Sequence, residues 1–210
     1  MVINSLGYNL NVFINCPFDD GYNAIFEAIV FTICDCGFTP RCAKEREDSS
    51  EVRIQKILEI ISECKHGIHD ISIAGADPKT KLARFNMPYE LGLFTGCKKF
   101  GDEIQNKKSC LILDKTPYRY ASFLSDIAGQ DIRAHENNPQ KAAAHVRNFL
   151  AQKSNRKIPS ASIVWERYIN YKRVAPRLAK EGGLKIDEVT FRERLELIST
   201  WVKIETKTHT

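Results

Sequence analysis

Short apolar runs alternate with amphipathic stretches over most of the chain. The runs are rich in Val, Ile and Leu and are too short for helices, so they predict buried β-strands. Pro40 has no backbone N–H to give to a sheet, so we expect the second strand at an edge. The predicted strands are residues 9–15, 38–43, 66–72, 109–114 and 131–135.

Amphipathic stretches between these runs predict helices. Phe26, Ile29, Val30 and Ile33 fall at i, i+3, i+4 and i+7, which gives one apolar face. The predicted helices are residues 22–36, 51–65, 88–96, 118–127 and 139–153. This alternation predicts an α/β fold, with a parallel sheet, helices on both faces and a flavodoxin-like strand order.

The rest of the chain is predicted to be helical. An apolar stripe covers residues 164–178, although Pro176 should kink or split that helix. Asp187 is a candidate N-cap for a last helix. We therefore divide the chain into an α/β domain, residues 1–155, and a helical extension, residues 156–210. Because two amphipathic helices cannot bury their apolar faces alone, they pack on the α/β domain, on a second copy as a homo-oligomer, or on another partner.

The composition argues against a membrane partner. No apolar run approaches the roughly 20 residues that a membrane span needs, and the first residues lack the features of a signal peptide. Seven cysteines include no Cys-x-x-Cys pair, which favours reduced thiols. These features predict a cytoplasmic protein.

Positive charge is concentrated in the extension. Residues 151–210 carry 13 Lys and Arg against 7 Asp and Glu, a net of +6, whereas residues 1–150 carry 18 against 19, a net of −1. A basic tail can meet nucleic acid or an acidic partner. However, no motif interleaves its basic residues with aromatic ones. Solvated helix surfaces explain the charge more simply, so we do not expect a nucleic-acid partner.

Glu90 is the most informative single residue. It lies in a predicted first helical turn among apolar neighbours, after the strand at 66–72 and a polar loop at 73–85. Open α/β sheets bind ligands at the carboxyl ends of their central strands, so this acid is a candidate catalytic residue. The alternative is an ordinary first-turn acid stabilised by the helix dipole.

The turn after the first strand supplies a second group of candidates. It carries no Gly-rich phosphate-binding pattern, so neither a dinucleotide fingerprint nor a P-loop is supported. Two adjacent acids there, at positions 19 and 20, suit sugar hydroxyls or a capping role for the first helix. The candidate binding residues of this segment are Asn15, Phe18, Asp19 and Tyr22.

Three further candidates border the same expected crevice. Asp70 ends the third strand and could face it or serve as a local cap, and Arg84 and Asn86 precede the Glu90 helix. His66 and His69 lie three apart on a strand, so they face opposite sides and cannot share a metal ion. We therefore predict no metal site.

These segments resemble two related groups, the Toll/interleukin-1 receptor (TIR) domain and the nucleoside 2-deoxyribosyltransferase-like superfamily. The first strand, Val-Phe-Ile-Asn at 12–15, resembles the first-strand box of TIR domains. The run Asn-Cys-Pro-Phe at 15–18 is similar to a turn of the transferases, and Glu-Leu-Gly at 90–92 to their glutamate motif. The resemblance covers about residues 9–115. Arg-Phe-Asn-Met at 84–87 replaces the Asp-x-Gly-Thr usual in the transferases.

The resemblance implies a function that the residues alone do not establish. It implies that Glu90 cleaves or transfers the N-glycosidic bond of NAD or a related nucleotide, without a cofactor and in bacterial antiviral defence. Asn15, Asp19 and Asp70 would then hold ribose hydroxyls, and Phe18 and Tyr22 would pack against base or sugar. Two alternatives stay open: a non-catalytic nucleotide sensor that oligomerises through the extension, and an adaptor that works through its surfaces.

Overall fold

Five parallel strands form the sheet in the part of the chain that the structure describes. The computed structural model describes residues 5–75 and 81–208, so part of the loop predicted at 73–85 lies outside the described residues. The strands lie in the order β2-β1-β3-β4-β5, and every neighbouring pair is parallel. This is the flavodoxin-like order, and the fold prediction is confirmed. The strands are β1 (Asn11–Asn15), β2 (Thr39–Arg41), β3 (His66–Asp70), β4 (Ser109–Asp114) and β5 (Arg133–Ala134).

Helices cover both faces of this sheet. One face packs against α2 and α5, and the other packs against α3 and α4, because the strands are apolar on both sides. No helix in the described part of the chain combines the length and apolarity that crossing a membrane requires. The helices are α1 (Ser5–Leu10), α2 (Asn23–Asp35), α3 (Arg53–Ser62), α4 (Asn86–Phe100), α5 (Pro139–Ala151), α6 (Ala161–Glu181) and α7 (Phe191–Thr208).

The central strand β3 is buried along its whole length. Its two histidines face opposite sides, as predicted: His66 contacts the Phe149 ring of α5, and His69 contacts the Phe94 ring of α4. Among the residues that the structure describes, no three His, Cys, Asp or Glu side chains are grouped so that they could hold a metal ion.

The helical extension packs on the α/β domain through α2 and α5. Phe31 of α2 is fully buried beneath it. Ion pairs flank this contact, Arg167 to Asp35 at 2.8 Å and Arg194 to Glu27 at 2.7 Å. The Phe31 ring lies 5.3 to 5.5 Å, between centroids, from three aromatic rings of the extension: Tyr168, Tyr171 and Trp201.

The helix predicted at residues 118–127 is wrong. The segment forms two short 3₁₀ turns instead, Arg119–Ser122 and Ser125–Ile127. Tyr118 has a φ of 59°, a left-handed conformation that an α-helix does not contain. Apolar spacing alone therefore overestimated the helical content here.

Two predicted features of the extension also differ. Pro176 does not split α6, which runs unbroken to Glu181. The last helix begins at Phe191, so Asp187 is not its cap. Thr190 and Glu193 form a capping box instead: the Thr190 amide donates to Glu193 Oε2 at 2.8 Å, and the Glu193 amide donates to Thr190 Oγ1 at 3.3 Å.

Candidate functional site

A crevice lies outside the carboxyl end of β1, beside the start of α4, the helix that follows β3. Its cavity volume is about 200 Å³. In the strand order 2-1-3-4-5 the winding direction reverses between β1 and β3, and ligands of open α/β sheets bind at such a switch point. Six of the eight predicted site residues line it: Asn15, Phe18, Asp19, Arg84, Asn86 and Glu90.

Glu90 is buried in the wall of this crevice. The α4 helix begins at Asn86, so Glu90 is its fifth residue and the predicted first-turn position is wrong. Only 8% of Glu90 is exposed. Within residues 5–75 and 81–208, its carboxylate has no hydrogen-bond partner and no ion pair.

Burial raises the pKa of the Glu90 carboxyl from 4.5 to about 7, and the positive charge of Arg53 opposes this rise. The cause is desolvation, since water stabilises a carboxylate better than an apolar wall does. The dipole of the first helical turn does not explain this acid, because Glu90 lies beyond that turn. A carboxylate with a perturbed pKa in a cleft is a candidate functional group.

Asn15 connects β1 to β3 and α4 through its side-chain amide. It is the last residue of β1 and is 2% exposed. Its Nδ2 donates to the carbonyl of Met87 in α4 at 2.8 Å and lies 3.1 Å from Nδ1 of His69 in β3. Both amide protons are therefore used, and no described residue donates to Oδ1, which is left to accept a hydrogen bond from a ligand.

His69 is an uncharged, buried side chain beneath the site. Burial lowers the pKa of its imidazole to about 3. Because Nδ1 accepts from Asn15, the ring proton lies on Nε2, which has no partner in the described residues and lies beside the Phe94 ring. His69 therefore serves to hold β1 and α4 in place rather than to exchange protons.

Asp19 and Arg84 form an ion pair at the mouth of the crevice. The two side chains are 2.5 Å apart, and each is nearly half exposed, so the pair is easily broken by a ligand. Asp19 makes no side-chain capping hydrogen bond, so the capping alternative does not describe it. Asn86 is exposed at the start of α4.

Tyr22 and Asp70 do not line the crevice. The Tyr22 hydroxyl donates to Asp70 Oδ2 at 2.5 Å, and both residues are buried. His135 Nε2 lies 3.0 Å from the same oxygen, outside hydrogen-bond geometry. Successive side chains of a strand point to opposite faces, so His69 faces Glu90 and Asp70 faces α2. We therefore withdraw Tyr22 and Asp70 from the binding residues.

Arg53 is a site residue that the sequence analysis missed. It is the first residue of α3, and it lines the crevice close enough to Glu90 to influence its pKa. It has no ion-pair partner in the part of the chain that the structure describes. The sequence does contain a signal that could have identified Arg53. It is a basic residue in the first turn of the helix predicted at 51–65, which follows the strand predicted at 38–43 across a polar loop.

Comparisons with known proteins identify no relatives: no family model, curated protein or solved structure matches this chain. The functional argument consequently depends on the site itself.

Proposed function

We propose that this protein cleaves or transfers the N-glycosidic bond of NAD or a related nucleoside or nucleotide, with Glu90 as its catalytic residue. The observation that carries the proposal is the Glu90 carboxylate, which is buried at the switch point of the sheet and has no partner among the described residues. Leaving a carboxylate there costs stability, and such a cost is characteristic of a functional site.

The chemistry needs a carboxylate of this kind. Breaking an N-glycosidic bond places positive charge on the sugar C1 and ring oxygen, in an oxocarbenium-like transition state. A fixed carboxylate stabilises that charge, and it does so most strongly where water is excluded. Alternatively it attacks C1 as the base leaves and forms a covalent glycosyl intermediate, which water or an acceptor base then releases.

The neighbouring side chains support a nucleotide as the ligand. Asn15 Oδ1 and the Asp19 carboxylate are acceptors for ribose hydroxyls, and the Phe18 ring offers an apolar surface to the base or sugar. Arg53 and Arg84 add two guanidinium groups at the mouth, which suit phosphate. A base that is already cationic, such as the nicotinamide of NAD, leaves without protonation.

The resemblance to TIR domains and deoxyribosyltransferases supports the same chemistry. It also supports a setting in bacterial antiviral defence, and the cysteine pattern supports a location in the cytoplasm. Assembly into a homo-oligomer belongs to this proposal as well. Since the apolar faces of α6 and α7 pack on α2, assembly would use their outer surfaces.

The test is turnover by the wild-type protein and two variants. Purified proteins are incubated with NAD and a panel of nucleosides and nucleotides, and products are read by liquid chromatography and mass spectrometry. We expect wild type and the control Glu103→Gln, an exposed surface change, to release free base, and Glu90→Gln to release none. Release by Glu90→Gln at the wild-type rate, or no release by wild type at high protein concentration, contradicts the proposal.

Nucleotide sensing without catalysis is the second candidate. The guanidinium of Arg53, which has no ion-pair partner in the ranges that the structure describes, favours it, because a phosphate-binding cation serves recognition as well as chemistry. If the protein is a sensor, Glu90→Gln keeps or improves its affinity for the nucleotide. It also leaves intact any oligomerisation that nucleotide binding causes.

A further inference from the structure

A second cavity borders the crevice. It is a groove of about 260 Å³ between the start of α2, the segment at residues 44–47 and the start of α7. Part of its wall therefore belongs to the helical extension. The residues that matter here are Asn23, Phe26, Lys44, Glu47, Thr190 and Arg194.

The two cavities share one wall. The Phe18 ring lines the crevice and packs edge-on against the Phe26 ring, which lines the groove, at 5.5 Å between centroids. Ala43 lines the crevice, and the next residue, Lys44, lines the groove. A ligand longer than one cavity can therefore pass over this wall from one into the other.

A cation lies on that wall. Lys44 Nζ is 4.7 Å from the centre of the Phe18 ring and 5.2 Å from that of Phe26. It has no carboxylate partner among the described residues. Burial raises the pKa of the Cys16 thiol inside the crevice, and the positive charge of Lys44 opposes that rise, so its field reaches the crevice.

Charges inside the groove leave it able to take a polar ligand. Glu27 is neutralised by Arg194 at 2.7 Å. Glu47 is exposed and has no partner in the described part of the chain, so it can accept ribose hydroxyls, and the Asn23 amide can both donate and accept.

The volumes of the two cavities support a single binding site in two parts. Pockets that enclose a drug-sized ligand measure roughly 300–1,000 Å³, and the crevice alone is smaller than this. A dinucleotide consists of two nucleoside halves joined by a pyrophosphate. Two cavities of about 200 and 260 Å³ with a cation between them match that division.

We propose that the crevice and the groove are the two halves of one dinucleotide site, with Lys44 binding the pyrophosphate between them. The assignment of the reactive nucleoside to the crevice rests on the proposed function. The extension then contributes to substrate selection, because its residues 189–194 wall the half that holds the second nucleoside.

The test is a binding experiment that needs no turnover. Isothermal titration calorimetry measures the affinity of the Glu90→Gln protein for NAD and for nicotinamide riboside, which has the reactive nucleoside but no phosphate. We expect NAD to bind at least about tenfold more tightly, since hydrogen bonds to charged groups are worth about that factor. Adding Lys44→Met should remove most of this advantage and leave affinity for the riboside within about twofold.

Two control variants sharpen the result. Adding Lys44→Arg should retain the preference for NAD, because the positive charge stays in place. Adding Lys115→Met, an exposed lysine that lines neither cavity, should leave both affinities unchanged. Equal affinities for the two ligands, an equal loss of both on Lys44→Met, or no binding of NAD overturns the inference.

These outcomes separate the inference from the proposed function. Turnover of a mononucleoside by wild type without preferential NAD binding rejects the divided site and leaves the glycosidase proposal standing. Lys44-dependent NAD binding without any turnover supports the divided site and contradicts catalysis.

Discussion

At the scale of single residues, the protonation of Glu90 decides how the site works. With a pKa of about 7, the carboxyl is ionised in only about half of the molecules near neutral pH. An electrostatic stabiliser or nucleophile must be ionised, whereas a general acid must be protonated. The direction of the pH dependence therefore distinguishes the two roles.

We predict that kcat/KM rises with pH and levels off above about pH 7, because the active form of Glu90 is the carboxylate. The cationic nicotinamide ring of NAD lowers the pKa of a nearby acid, so the rise in kcat should come at a lower pH than the rise in kcat/KM. The measurement is a set of initial rates between pH 5 and 9. A rate that falls above pH 7 contradicts this role and indicates a general acid.

Glu90 also makes a prediction about stability that is independent of any substrate. Its folded-state pKa of about 7 lies above the unfolded value near 4.5, so folding favours the protonated form. That contribution is fully present below pH 4.5 and is lost as pH rises through 7. We expect wild type to lose up to about 3 kcal/mol relative to Glu90→Gln across this window.

Urea unfolding of the two proteins at pH 5 and pH 8 measures this difference. Glu90→Gln should gain on wild type only as pH rises, and the exposed control Glu103→Gln should follow wild type at both pH values. A difference between wild type and Glu90→Gln that is the same at pH 5 and pH 8 argues against a desolvated carboxyl.

The residues of the site were predictable to the extent that they depend on chain order. Glu90 and Asn15 follow from the rule that ligands bind at the carboxyl ends of central strands. Asp70 was wrongly assigned to the crevice. It lies at the carboxyl end of β3, but its side chain is on the face of the sheet away from the crevice. The face depends on the strand register, and a shift of one residue, which the sequence alone does not exclude, reverses it. Arg53 was missed because the helix that presents it approaches the crevice only in the folded chain.

At the scale of elements, the position of Glu90 depends on how closely α4 approaches β3. A Cβ added at Gly67 would lie 2.6 Å from His69 Nε2 and 2.9 Å from Phe94 Cζ. Glycine is therefore required there, because any larger residue would push α4 away from the sheet. The same contact holds His69 in place to bind Asn15.

We predict that Gly67→Ala destabilises the protein by about 1–3 kcal/mol through overpacking and lowers turnover by displacing Glu90. The control is Gly96→Ala in α4 itself, where an added Cβ meets nothing within 4 Å. That change should be neutral or stabilising by up to about 1 kcal/mol, since Ala favours helices. Thermal unfolding and turnover measure both effects; equal effects of the two changes contradict this account of α4.

Elements were predicted well where the signal is local. The apolar strands and the stripe on α2 lie in the sequence itself, and the strand order followed from alternation. The segment at residues 118–127 has apolar spacing but forms 3₁₀ turns, because Tyr118 adopts a left-handed backbone that spacing does not reveal. At Pro176 the sequence predicted a kink or break, but α6 is continuous. Packing of its buried face keeps the helix intact although proline has no backbone N–H to donate.

At the scale of the whole molecule, the extension completes the core. Phe31 is fully buried because α6 and α7 cover α2, and a domain without them would expose it together with its neighbours. The basic charge of the extension is therefore distributed over helices whose apolar faces are already used. The extension also walls the groove, which connects its packing to the proposed dinucleotide site.

We predict that the extension and the α/β domain unfold as one unit. Trp201 is 3% exposed against Phe31, and Trp201→Ala should cost about 3–5 kcal/mol and lower the single unfolding midpoint. Ile163→Ala, on an exposed part of α6, should change stability by less than about 1 kcal/mol. The measurement is urea unfolding followed by tryptophan fluorescence, which reports the extension, and by circular dichroism, which reports the whole chain. Two separate transitions would show that the extension is an independent module. A chain ending at residue 157 that is as stable as the full protein would show the same. In either case the extension would no longer be expected to form a wall of the groove.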